Sequence, residues 1–408
     1  MATMSQRPLY CVLINCLIIL SLVAQRASAE APLARSRSQF TQVPQDFAVG
    51  LFHKSLHDSD KCQGWYENYT SPTVEDTWAE GHVQASNLAN CILQQLPEWA
   101  KSELATISIT LGLLPAALQY VGPDTTQIAL LSFRRPLLAT LLSFGSPALR
   151  PGEDVVEVLR TPAKLSLGAM PGFAAFGRGK SSGWTRWVIA VALSMLEYAV
   201  AGASVFNMGY QVYFLIYKAV CWAAIQLFHT SYVPETAVPL MWILFGIPAQ
   251  WIFNGAVRLR VEEITSDIQS SMESTVEATF SRPRPGPILR ISSWFRDLVC
   301  SELTPCMYGT PLNFRTKKHS LSSMLFDQFT NLASLAHILM GTIILSTMVF
   351  VGLRRVIFLE VWFLTGALGC RAVATFEVYG LKQGATDHGD ESQYSSVMNA
   401  DMSAEPSK

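Results

Sequence analysis

Apolar residues along this chain come in long blocks separated by polar and charged stretches. Beyond the N-terminus, five blocks are long enough for bilayer-crossing helices: 104–121, 187–206, 237–257, 332–353 and 356–379. A hydrocarbon core about 30 Å thick takes roughly 20 residues of helix at 1.5 Å each. The pattern predicts an all-α polytopic membrane protein with five transmembrane helices. The first block is marginal, because Thr106, Ser108 and Thr110 lower its hydrophobicity and Pro115 interrupts it, so it needs helix neighbours. A further run, Leu137 to Leu149, is too short to cross and opens on Arg134 and Arg135, which suits a segment lying in the interface or dipping in.

Two stretches are decided by charge. Residues 208–229 are apolar but carry Lys218, and they lie between Arg186 and the Arg258/Arg260 pair. Cytoplasmic loops are enriched in Lys and Arg, so both flanks belong inside and an even number of crossings separates them. Blocks 187–206 and 237–257 supply those two, which leaves 208–229 as an outward-facing connector. The last block, 356–379, contains Glu360 and Arg371 and follows Arg354-Arg355; a cytoplasmic tail results if it crosses, and an external one if it does not.

The N-terminus carries Arg7, an apolar run from Leu9 to Ala24 and the small-residue site Ala27-Ser28-Ala29. This is the layout of a cleaved signal peptide over 1–29, the length of the run leaving a retained anchor as the alternative. Residues 30–103 then form a small lumenal ectodomain. Its two cysteines, Cys62 and Cys91, are expected to join in an oxidising compartment, and Asn68-Tyr69-Thr70 is a glycosylation sequon.

Composition agrees and adds an orientation. Half of the 408 residues are hydrophobic and 15% are charged, against about 25% charged in a soluble domain. The net charge of −1 conceals a segregation: 30–103 holds five basic and ten acidic residues, and 134–186 holds eight basic and three acidic. That places the N-terminus in the lumen or outside, and the protein in the secretory pathway or plasma membrane. The basic loop 122–186 and the loop 258–331 with its amphipathic helices face the cytoplasm, and anionic lipid is their expected partner besides the bilayer itself. Nothing in the pattern calls for a nucleic-acid partner. The acidic tail 380–408 is expected to be disordered.

Candidate chemistry is sparse. His53, His57, Asp58, Asp60 and Cys62 lack a second ligand pair at metal spacing, so no metal is assigned. Gly177-Arg178-Gly179-Lys180-Ser181 has Ala174 where a phosphate loop needs glycine, so no nucleotide or other cofactor is assigned. Cys300 and Cys306 are expected as reduced thiols. Ionisable residues inside membrane segments are costly and hence the default functional candidates: Glu197, His337, Glu360 and Arg371. A pairing of Glu197 with Arg371 across helices is one expectation. With no catalytic motif present, a non-catalytic protein acting by interaction or membrane organisation is the leading class, and a transporter or channel using Glu197 and Arg371 the second.

A set of short patches also stands out: Asn90-Cys91-Ile92-Leu93, Leu96-Pro97-Glu98, Leu111-Gly112-Leu113-Leu114-Pro115, Gly122-Pro123, Arg134-Arg135-Pro136-Leu137-Leu138-Ala139 and Gly145-Ser146-Pro147, then Cys370-Arg371-Ala372-Val373 with Phe376-Glu377 and Gly380. In these the chain resembles a group of fungal polytopic membrane proteins with no established activity. The resemblance implies a multi-span membrane fold and brings no mechanism.

Overall fold

The computed structural model describes residues 60–70, 78–147, 149–150, 158, 183–218, 220–221, 238–263, 299–308, 314–316 and 321–386. The signal peptide, His53 and His57, the Gly177–Ser181 segment, the amphipathic stretch 264–298 and the acidic tail from 387 lie outside them. The described chain is almost wholly helical. Its helices are α1 (Asp60–Thr70), α2 (Trp78–Gln95), α3 (Glu98–Val121), α4 (Thr125–Arg134), α5 (Pro136–Gly145), α6 (Gly183–Lys218), α7 (Val238–Arg260), α8 (Leu321–Ser346) and α9 (Leu353–Thr386). Four short strands accompany them: β1 (Val220–Cys221), β2 (Val261–Glu263), β3 (Phe314–Thr316) and β4 (Met348–Val349). β1 pairs antiparallel with β4, and β2 with β3.

Five of these helices, α3, α6, α7, α8 and α9, are long and apolar enough to cross a membrane. No more than half of each apolar window is buried inside the protein, so the remaining apolar surface is left for lipid. This is the architecture of a membrane-embedded helical protein. The boundaries depart from the sequence pattern in three places. α6 runs unbroken to Lys218, so the first half of the expected connector 208–229 is helix, with an apolar stretch reaching Leu215. α8 stops at Ser346 rather than 353, because the chain turns through β4 and Phe350 before α9 begins. Beyond Arg260, within the loop 258–331 for which amphipathic helices are expected, residues 261–263 form β2 instead, paired with β3.

The chain forms two compact units, one of residues 1–114, 211–242 and 340–360 and the other of 115–210, 243–339 and 361–408. Each of the five long helices contributes a stretch to both. In the first unit the Cys62–Cys91 disulfide ties α1 to α2, with Cα atoms 5.9 Å apart. Leu88, Ala89 and Ile92 of α2 continue through Leu96 in the turn into Ala100 and Leu104 of α3, and Tyr69 and Phe350 pack on this row. The four-residue spacing puts one apolar face along both helices. Phe350 has φ 63°, a left-handed conformation costly for a bulky residue, and its fully buried ring is the compensating contact. Glu103 Oε1 accepts the Leu353 N–H at 3.2 Å and so caps the start of α9. Arg355 lies over the Phe214 ring at 4.9 Å, a cation–π contact.

In the second unit α4 and α5 form a helical hairpin. The sequence reading made this part of a basic cytoplasmic loop; instead Thr125, Thr126, Ile128 to Ser132, Leu138, Ala139, Leu142 and Ser143 are buried. The hairpin is closed at its base, where Thr125 N–H donates to Arg150 C=O at 3.2 Å and Arg150 Nε meets Asp124 Oδ1 at 2.7 Å. Its return strand threads between helices: Leu149 C=O accepts from Gln119 Nε2 (3.1 Å) and Ser334 Oγ (2.5 Å). Gly145 and Gly246 permit this packing. A Cβ at Gly145 would meet Cys370 Sγ at 2.7 Å and Ser204 Cβ at 2.9 Å, and one at Gly246 would meet Pro147 O at 2.5 Å. Gly202 has no atom in that range, although it too lies in a long helix.

We expect Gly246→Ala to destabilise the purified protein by about 1–3 kcal/mol, since backbone must move to admit a methyl group. Gly202→Ala should be neutral or slightly stabilising. Thermal unfolding in one detergent compares them, and equal midpoints would contradict the close approach.

Candidate functional site

Pro136 cannot donate a backbone hydrogen bond and starts α5, which puts Arg135 in the tight turn between α4 and α5. Its φ of −126° and ψ of 71° break the helix and send its side chain into the protein, where it is fully buried. A buried guanidinium has five donors to satisfy. Arg135 Nη1 bonds Glu197 Oε2 on α6, and Nη2 donates to Ser194 Oγ at 2.6 Å and to Glu302 C=O at 2.8 Å. Glu377 Oε1 on α9 lies 3.0 Å from Nη1 but off the N–H axis, an ion pair without hydrogen-bond alignment. The guanidinium also sits 5.5 Å from the Tyr198 ring centroid.

The partners are themselves tied down. Glu302 belongs to the helical residues 299–303, outside the long helices. Its Oε1 accepts the Leu137 N–H at 2.8 Å, capping the start of α5, and its Oε2 accepts from Tyr198 Oη at 2.5 Å. Its carbonyl takes a second bond, from Ser194 Oγ at 2.9 Å. Glu377 Oε2 accepts the Cys306 N–H at 3.1 Å. One arginine thus gathers the hairpin turn, α6, α9 and the 299–306 segment, burying four charged side chains together.

Three carboxyl groups face one cation. All ionised, they would leave two uncompensated negative charges in a buried place, at a cost of several kcal/mol each. For Glu302, burial pushes the carboxyl up from its ordinary 4.5, opposed by the Tyr198 hydroxyl, the Leu137 and Leu138 amides and Arg135. Burial also pushes the Cys306 thiol well up, with Glu377 adding to it, so this cysteine stays a neutral thiol. Cys300, Cys306 and Cys370 are free.

The residues singled out from sequence fall in separate places. Glu197 is buried and pairs with Arg135, not with the expected Arg371. Arg371 donates to Tyr120 C=O at 3.1 Å on a more exposed surface. His337 is buried and stacks on Phe245, ring centroids 6.3 Å apart. Glu360 is half-buried and takes no part in the node. Asn68 is exposed on α1, six residues after the disulfide's Cys62. Arg135, Glu302, Glu377 and Tyr198 were not among the site candidates, although Arg135 and Glu377 stand in the patches that carry the resemblance. Arg135 looked like a flank of a short apolar run, and the signal for it was Pro136 behind it, which forces a turn. Glu377 stood in the last apolar block, and Glu302 in a loop with no periodic pattern.

Among the described residues no group of His, Cys, Asp or Glu is arranged to hold a metal ion. Compared with protein-family models, curated proteins and solved structures, the chain matches none. The class that the fold defines is a membrane-embedded protein with five apolar spans; its buried polar site is an arginine-centred node joining spans, hairpin and loop.

Arg135→Leu leaves three buried carboxyls without a cation and should cost about 3–5 kcal/mol of stability, whereas Arg371→Leu, on the surface, should cost under about 1 kcal/mol. Glu197→Gln with Glu377→Gln in the Arg135→Leu background should recover part of the loss. Denaturant titration of the detergent-purified variants reads both effects; equal losses for the two arginine variants would mean the node does not organise the fold.

Proposed function

We propose that this chain is a non-catalytic integral membrane protein that acts by interaction or by organising the membrane around it. The supporting observation is how its buried polar groups are used. Arg135, Glu197, Glu302 and Glu377 are spent on joining four parts of the fold, and Glu302 caps a helix. Ionisable groups kept for transport or catalysis instead line a cavity or a path for solute. A transporter is the second reading, and one observation favours it: Glu197 Oε1 and Glu377 Oε1 are buried without hydrogen bonds beside Arg135, a place where a proton can come and go. The version built on Glu197 and Arg371 acting together has no support, because the two bind different partners. Proteoliposomes under an imposed pH gradient decide between the readings. The expected result is the proton leak of empty vesicles for both the parent and Glu197→Gln; a flux in the parent that Glu197→Gln abolishes overturns the proposal.

The protein's place, on this proposal, is the secretory pathway or plasma membrane with the N-terminal region lumenal or external. The support is chemical: Cys62 and Cys91 are joined, whereas Cys300, Cys306 and Cys370 remain thiols in segments that the charge rule assigns to the opposite side or the bilayer. The exposed Asn68 then meets the glycosylation machinery. Endoglycosidase treatment of the expressed protein should shift its electrophoretic mobility, and Asn68→Gln should remove the shift. A parent chain insensitive to the enzyme, together with labelling of a reduced Cys62 from the cytosolic face, would reverse the orientation.

A further inference from the structure

Two arginines far apart in sequence converge on one carbonyl. Tyr120, next to last in α3, offers its C=O to Arg371 Nη1 at 3.1 Å and to Arg150 Nη1 at 3.2 Å. A carbonyl at a helix C-terminus carries partial negative charge and welcomes one cation. A second guanidinium at the same oxygen adds repulsion that the carbonyl does not offset. Asp124, 2.7 Å from Arg150 Nε, neutralises one of the two. No carboxylate pairs with Arg371 among the described residues, so the group keeps a charge of +1.

Its position along the helices matters as much. Glu103 meets the start of α9 at Leu353, and Tyr120 meets Arg371. From Glu103 to Tyr120 and from Leu353 to Arg371, the two helices each run roughly 26 Å at 1.5 Å per residue, close to the thickness of a hydrocarbon core. Tyr120 stands one residue before the end of α3's apolar stretch at Val121, so the Arg371 side chain that reaches its carbonyl lies where α3 gives way to the headgroup layer, although α9 itself stays apolar to Leu381. Tyr120 is 78% exposed there, the setting in which an amphipathic ring rests at a membrane surface. A guanidinium fork matches phosphate oxygens in shape and charge, and one that pairs with no carboxylate among the described residues suits the phosphate of a lipid headgroup.

We propose that Arg150 and Arg371, gathered on Tyr120 C=O, bind the phosphate of an anionic phospholipid headgroup. The site stands on the membrane-embedded fold and is independent of whether the protein transports anything. Its test is native mass spectrometry of the full-length, detergent-purified protein titrated with phosphatidylglycerol, with phosphatidylcholine and inorganic phosphate as separate arms. The expected result is preferential retention of phosphatidylglycerol, weakened about fivefold in Arg371→Gln, as for one cation lost at an anionic surface. Arg371→Lys should retain most of the binding, and millimolar phosphate should not displace the lipid. Equal retention of phosphatidylglycerol by the parent and Arg371→Gln overturns the site, as does displacement by inorganic phosphate, which would make it a place for a free anion. Should Arg371→Gln fail to fold, Arg150→Gln carries the same expectation and the same refutation.

Discussion

A buried guanidinium needs charged and polar partners at close range, and that constraint shapes the second unit, where the two terminal nitrogens of Arg135 are answered and only its Nε lacks a hydrogen bond. Arg135 is out of reach of water, so its donors need carboxylate, hydroxyl or carbonyl partners at close range. Those partners come from α6, α9 and the 299–306 segment, none of them near Arg135 in sequence. The hairpin turn, the angle at which α5 returns and the seat of the 299–306 segment are fixed together. The apolar contacts among Ile128, Leu131, Leu138, Leu142, Cys306, Cys370 and Ala374 fill the space around that frame. Apolar packing alone would allow neighbouring helices to slide; directional bonds to one arginine do not.

Backbone accounting explains how a hairpin of two ten-residue helices fits among membrane spans. Short helices expose a large share of unpaired N–H and C=O groups, which a bilayer interior punishes. Here those groups find protein partners. Glu302 serves the start of α5, and the Thr125 N–H is answered by Arg150 C=O at the hairpin's base. Leu149 C=O takes two donors from Gln119 and Ser334. Glycines at 145 and 246 let the backbone come close enough for this. Irregular backbone beside the apolar helices is thereby surrounded by protein.

The two units solve the same problem with different means. In the first, a disulfide and a row of leucine, isoleucine and alanine carry the contacts, and polar ties are few. In the second, charge is buried and shared.

What the sequence settled by itself was whatever depends on local composition. Block length and hydropathy suffice for the five spans, because crossing a bilayer is a requirement each segment meets alone. Cys62 and Cys91 were recognisable as a pair because no other cysteine lay near them. Element ends were less legible: α6 runs on past Phe206 and α8 stops at Ser346, since neighbours and a strained turn set those limits. Only the tertiary structure decided which charges meet. Glu197 and Glu302 stand 62 and 167 residues beyond Arg135 and Glu377 further still, and the charge pattern around Arg134-Arg135 favoured a solvated loop. A side chain's ionic partner is chosen by position in space after the helices pack, and hydropathy, which is read one segment at a time, carries no record of it.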